Sequence, residues 1–212
     1  MGHHSSCTDW DYKYHPDRGT ITRRCRRLAK LLQKRPSRFD RYGFDTRPGH
    51  RFMFFGIAPA SCPELAGNYR GLPNSPLSQY QVGIAGDTDV GIPANFVSIA
   101  MSVFEKHCSE LTEAYLAAIS NTNPAPKQRV LLARLVQLLC TLLEEFFRIH
   151  PYANGNGHAG RMMLLFMMIR QGFNPVRWSI DESPTYSEAI KAYRRGKKAG
   201  LHNFVMRAIV GP

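Results

Sequence analysis

The residues best placed to do chemistry lie in one stretch, His150-Pro151-Tyr152-Ala153-Asn154-Gly155-Asn156-Gly157-His158-Ala159-Gly160-Arg161. It joins two apolar segments, where a few featureless polar residues would suffice. Instead it carries two histidines, two asparagines, three glycines and an arginine. Gly155-Asn156-Gly157 stands ahead of a helical pattern. Glycine admits positive φ, so successive backbone N–H groups can turn towards one point and form an anion-binding nest. The first turn of the following helix adds unpaired N–H groups and the positive end of its dipole. Arg161 falls one turn into that helix, and its planar guanidinium suits phosphate. His150 closes the preceding helix and has an ordinary pKa near 6.5, so it can take a proton at neutral pH. A helix C-terminus should favour its protonated form, which works against that role.

Each residue alone has a plainer reading. Gly-Asn-Gly is usually a turn, a lone histidine caps a helix or sits in the core, and a lone arginine makes an ion pair. Tyr152 reads as a core anchor that pins the loop. The combination at fixed spacing points to phosphate binding beside a general base.

Helices must hold this loop. Thr20 to Lys34 reads as a basic helix with Leu28, Leu31 and Leu32 as its stripe, ended by Pro36. Phe39 to Arg51 is a punctuated loop, and Arg51 to Ile57 fits a strand or a short helix. Residues 67–91 are rich in Gly, Pro, Asn and Asp, and Ser78 to Ile84 alternates weakly, as one arm of a hairpin would. Pro93 opens a helix to about Ser120, with Phe96, Ile99, Val103, Leu111, Tyr115 and Ile119 at helical spacing. After a turn over Asn121 to Pro126, Lys127 to Ile149 and Gly157 to Gln171 are helices apolar almost all round, which places them at a bundle centre. Gly172 stops the second. A loop over Asn174 to Pro184 precedes two closing helices, Thr185 to Arg195 and Ala199 to Val210. The fold class is mainly α. The chain divides into an irregular arm (1–19), a basic helix and linker (20–49) and the main domain (50–212).

The 212 residues are 43% hydrophobic, enough for one cored domain and against disorder throughout. The formal net charge is +12, concentrated at Arg23, Arg24, Arg26, Arg27, Lys30, Lys34, Arg35, Arg38 and Arg41 and again at Arg194, Arg195, Lys197 and Lys198. That suits an anionic partner, or simply a solvated basic surface. Aromatic residues are not interleaved with the first cluster, so a single-strand nucleic-acid binder is not indicated. Cys7, Cys25, Cys62, Cys108 and Cys140 show no C-x-x-C spacing, and an odd, scattered set suits a reducing compartment. Cys140 lies in an apolar run and reads as core. The polar N-terminus shows no signal peptide, and the longest uncharged apolar run, Met162 to Ile169, is too short to span a bilayer.

The loop resembles the signature of the Fic family, H-P-F-x-(D/E)-G-N-G-R-x-x-R, matching at His150, Pro151, Gly155, Asn156, Gly157 and Arg161, with Tyr152 for Phe. The resemblance extends over roughly residues 50–210 through the flanking helices. Residues 64–70 (ELAGNYR) look like the lead into the family's target-docking flap. It implies a Fic-like helical bundle with a small β-hairpin flap, here Gln79, Tyr80, Gln81 and Val82. It also implies transfer of a nucleotide monophosphate, most often AMP from ATP with Mg²⁺, to a Ser, Thr or Tyr hydroxyl of a target protein. In that scheme His150 takes the hydroxyl's proton, and Gly155, Asn156, Gly157, His158, Gly160 and Arg161 surround the phosphates. Position 154 binds the metal, and the flap holds the target by strand addition.

Two residues depart from the pattern. Asn154 replaces an acid, and an amide binds Mg²⁺ more weakly than a carboxylate. His158 replaces an arginine. The departures leave room for another phosphate-containing donor, kinase action, or a degenerate relative that binds without catalysis. No Ser or Thr opens the inhibitory pattern (S/T)-x-x-x-E-(G/N): Ser109 and Thr141 reach Glu113 and Glu145, but Ala114 and Phe146 follow. Any inhibitor is then expected to be a separate chain, or a region outside these 212 residues. The resemblance places the protein in the cytoplasm, of its own cell or of one into which it is delivered.

Overall fold

A computed structural model describes residues 7, 10–37, 44–84, 87–120, 128–173, 175, 178–180 and 187–210. Seven helices stand among them: α1 (Arg18–Lys34), α2 (Arg47–Phe54), α3 (Ala94–Ser120), α4 (Gln128–Ile149), α5 (Asn156–Arg170), α6 (Ser187–Arg194) and α7 (Ala199–Val210). The fold is mainly α, as composition and periodicity imply. The expected turn over Asn121 to Pro126, most of the loop over Asn174 to Pro184, and Arg38 and Arg41 of the basic cluster lie outside the described residues.

Helix α5 is the axis of the bundle. Met162, Met163, Leu164, Leu165, Phe166, Met167 and Met168 are all buried, so every face of the helix is covered. Helix α4 lies against it with Leu139, Leu142, Leu143 and Phe146 fully buried, and α3 and α7 pack on α4. Cys140 is in this core, as its apolar neighbours suggest. On the other side α1 and α2 cover α5. Gly49 allows the close approach of α2, since a Cβ there would fall 2.1 Å from Met162 Sδ. Ile21, Cys25, Leu28 and Leu32 bring α1 into the same core.

Four expectations need correction. The segment from Arg47 is helical, not a loop, because Asp45 Oδ1 accepts the Arg47 N–H at 2.9 Å and Pro48 sits in the first turn. The buried stripe of α3 is Ala94, Val97, Met101, Phe104, Cys108, Thr112 and Tyr115. Phe96, Ile99 and Val103 are instead 54%, 66% and 60% exposed. The arm before α1 is anchored: Trp10 is 4% exposed, and Cys7 is joined to Cys62 by a disulfide. A sequence separation of 55 hid the pairing; Cys25, Cys108 and Cys140 are buried and outside any disulfide. Finally, Ser78 to Ile84 forms no ladder; among the described residues one isolated bridge joins Ile84 to Asp87. Its backbone is held by a side chain instead, as described next. No helix among the described residues is long and apolar enough to cross a membrane.

Candidate functional site

Helix α4 ends because His150 takes φ 53°, a left-handed value that closes a helix. Its N–H still reaches Phe146 O at 3.0 Å. The exposed carbonyls at this end are collected by Arg70, fully buried, which donates to His150 O (2.9 Å), Ile149 O (3.1 Å), Tyr80 O (3.0 Å) and Ile92 O (3.0 Å). One guanidinium thus caps α4, holds the segment entering α3 and carries the flap backbone at Tyr80. Burial pulls Arg70 down to about 10, still protonated at neutral pH. Its own N–H donates to Pro151 O at 2.8 Å.

The loop is then fixed from both sides. Tyr152 is fully buried, as an anchor should be, with its hydroxyl 2.6 Å from Thr46 Oγ1. His50 stacks flat on its ring, centroids 3.8 Å apart. His50 Nε2–H donates to Asn154 O at 2.9 Å while Nδ1 accepts from the Gly67 N–H at 3.0 Å, so the ring is neutral. Burial holds its pKa down at about 3. Asn156 clasps the backbone of Tyr152 with both ends of its amide, each at 2.8 Å. Gly155 caps α5 at φ 78°, and a Cβ there would fall 2.4 Å from the Phe54 ring. Gly155→Ala should therefore destabilise the protein by roughly 2–4 kcal/mol, combining a left-handed backbone with overpacking. Denaturant unfolding measures this.

A cleft of about 660 Å³ opens over the loop. It is lined by His150, Asn154, Gly155, Asn156, Gly157, His158 and Arg161, with Tyr80, Gln81 and Val82 across from them. Two expected site residues do not line it, Gly160 and Gln79. Gly160 serves packing: a Cβ there would sit 3.0 Å from the Phe147 ring on α4. Arg161 is 2% exposed, its Nε donating to Ile180 O at 3.0 Å, and its Nη1 lies 2.9 Å from where a Cβ on Gly157 would be. The guanidinium therefore lies directly against the Gly155–Gly157 turn.

His150 Nδ1–H donates to Phe147 O at 3.3 Å, which leaves Nε2 as the nitrogen with a free lone pair. Its pKa is pushed down to about 4, chiefly by burial and then by Arg70 and Arg194, against the Phe147 carbonyl and Asp87. This reverses the expectation from the helix terminus. The carbonyl end of α4 is already satisfied by Arg70, so the histidine beside it is neutral.

The two departing residues face the N-terminal arm. Asn154 Nδ2 donates to Trp10 O at 3.0 Å and lies 3.4 Å from Asp11 Oδ1, while Asn154 Oδ1 accepts the Gly155 N–H at 2.8 Å. The His158 ring meets Tyr12 edge-on at 5.3 Å and Phe54 at 5.6 Å. The Asn154 amide is thus tied to the arm through its nitrogen and to Gly155 through its oxygen, which keeps one lone pair. Among the described residues no group of three or more His, Cys, Asp and Glu could hold a metal ion.

Sequence reasoning missed several residues that line or brace the cleft. Arg194 was counted as basic surface, yet it donates to Glu144 at 2.7 Å and to Asp87 at 2.8 and 2.9 Å, tying α6 to α4 and to the end of the flap. His50 gave no signal. Arg70 stood in the ELAGNYR segment without a role. The basic helix also gains aromatic neighbours that its own sequence lacks: Arg27 lies 5.9 Å over Phe52 of α2, and Arg24 lines a groove of about 510 Å³ with Phe52 and Phe55, the latter 5.7 Å under Arg51 of α2. No protein-family model matches the chain, and no curated protein matches it either, so the functional reading rests on this geometry and on the motif.

Proposed function

We propose that the protein is a Fic-type nucleotidyltransferase that moves a nucleotide monophosphate, AMP from ATP, to a hydroxyl of a target protein. One observation carries the reading: a neutral histidine with its Nε2 unoccupied shares a cleft with a glycine turn, a helix N-terminus and a buried arginine. These groups match the needs of in-line phosphoryl chemistry, which depends on positioning and charge stabilisation.

In this mechanism Nε2 of His150 accepts the proton of the target hydroxyl. The hydroxyl oxygen bonds to the α-phosphorus, the bond from that phosphorus to the bridging oxygen breaks, and pyrophosphate leaves. The N–H groups at the start of α5 and the guanidinium of Arg161 take up negative charge on the phosphates. His150 then returns its proton to solvent. The flap backbone at Gln81 and Val82, which lines the cleft beside the Tyr80 carbonyl held by Arg70, is the segment that would receive an extended target segment. Mg²⁺ enters with the triphosphate as part of the substrate, where the uncharged Asn154 amide would hold it more weakly than a carboxylate. A Ser, Thr or Tyr of a protein is the acceptor. The site of action is the cytoplasm, the protein's own or a recipient cell's, and the disulfide favours passage through an oxidising compartment.

The pH dependence follows from the neutral base. With the His150 pKa at about 4, protonation removes the base only as pH falls through that value. The acid limb of kcat/KM should lie near 4 rather than near 6.5, as a pH–rate profile with the free enzyme would show.

A second reading is a degenerate relative that binds a donor or partner without transfer, or that uses another phosphate-containing donor or acts as a kinase. The commitment of Asn154 to Trp10 favours it. Nucleic acid is the weaker partner, since the rings beside the basic helix already lie under guanidinium groups. The test is to incubate the protein with a cell lysate and each nucleoside triphosphate labelled at the α-phosphate. Protein-bound label from one donor supports transfer; donor binding without label supports the second reading.

A further inference from the structure

The cations around the cleft are mostly committed. Arg194 faces Asp87 and Glu144, Lys191 faces Glu188 at 3.0 Å, and Arg161 donates to Ile180 O. Lys13 is different. It lines the same cleft from the N-terminal arm, it is exposed, and its ammonium has no ion pair among the described residues.

The arm holds Lys13 in place. Residues Tyr12–Tyr14 form a short helical turn, capped by Asp11, whose carboxylate accepts the Lys13 N–H at 2.9 Å. The Lys13 carbonyl accepts from Arg18 at 3.0 Å, which joins the turn to α1. Trp10 is buried with its ring edge-on to Phe54 at 5.9 Å, and Tyr12 meets Phe54 and His158 at 5.3 Å each. The Cys7–Cys62 disulfide anchors the far end. Asn154 and His158, the two residues that depart from the motif, are the loop residues that receive this arm.

We propose that the arm is part of the donor site and that Lys13 binds a phosphate of the donor, adding a second cation to Arg161 where the loop itself has His158. Asn154 and His158 then act as positioning residues for the arm. An ammonium on a flexible stem is a phosphate-binding point charge that needs no fixed fork. The inference rests on the donor-cleft reading above.

The experiment is calorimetric binding of ATP, inorganic tripolyphosphate and adenosine to the intact protein and to Lys13→Ala and Lys13→Arg. Losing one charge-assisted contact should weaken ATP and tripolyphosphate about tenfold in Lys13→Ala. Lys13→Arg should stay close to wild type, and adenosine affinity and the thermal midpoint should not change. Equal ATP affinity in Lys13→Ala and wild type would overturn the role of Lys13 and leave the donor cleft standing. Equal loss of adenosine and ATP affinity would also overturn it, as an effect of the arm's packing alone. Failure of the wild-type protein to bind either polyphosphate would remove the donor reading and this proposal together.

Discussion

Replacing His150 should abolish transfer while leaving donor binding intact. The expected loss is about 10²–10⁴-fold in turnover, the usual contribution of a positioned general base. The choice of replacement matters because His150 sits at φ 53°. Alanine in that region is strained, whereas asparagine tolerates it better. Both His150→Ala and His150→Asn should lose activity, but His150→Asn should keep a midpoint closer to wild type. Donor affinity should barely change, because the turn at Gly155–Gly157 and Arg161 are untouched. Turnover, calorimetric donor binding and thermal melts on the two variants separate a lost base from a disturbed loop.

Arg70→Ala should produce the largest loss of stability, on the order of 3–5 kcal/mol. The guanidinium is fully buried and bonds four backbone carbonyls. Removing it leaves the end of α4, the entry to α3 and the flap at Tyr80 unsatisfied together. Arg70→Lys should recover little, since a single ammonium cannot span four acceptors set around a planar fork. Chemical denaturation measures the loss. Activity should fall as well, because the same bonds set the backbone of His150 and the flap.

The bundle was legible because its central helices carry their own signal. The stretch over α5 is apolar on every face, so its central position follows from the sequence, and Gly172 and Pro93 lie just outside helix ends. The loop was legible because its chemistry is local: His150, the glycine turn and Arg161 are close in sequence and share the cleft. What the sequence withheld is long-range. Arg70 meets residues about 80 positions away, Asn154 meets Trp10 across 144, and Arg194 meets Asp87 across 107. None of these pairs has a period or a spacing. On α3 the apolar residues Phe96, Ile99 and Val103 drew the stripe to the wrong face, while Val97, Met101 and Phe104 fill the core. The hairpin failed for a related reason: weak alternation over Ser78 to Ile84 reflects a segment held by a side chain rather than by a partner strand.

The central claim is transfer of the α-phosphoryl group with its nucleoside. It is tested most directly by supplying ATP labelled at either the α- or the γ-phosphate, with Mg²⁺ and a lysate as the source of acceptor, to the wild-type protein and to His150→Asn. The account predicts protein-bound label from the α-position only, in the wild type only. Label from the γ-position alone, or equal α-label in the His150→Asn variant, would contradict it.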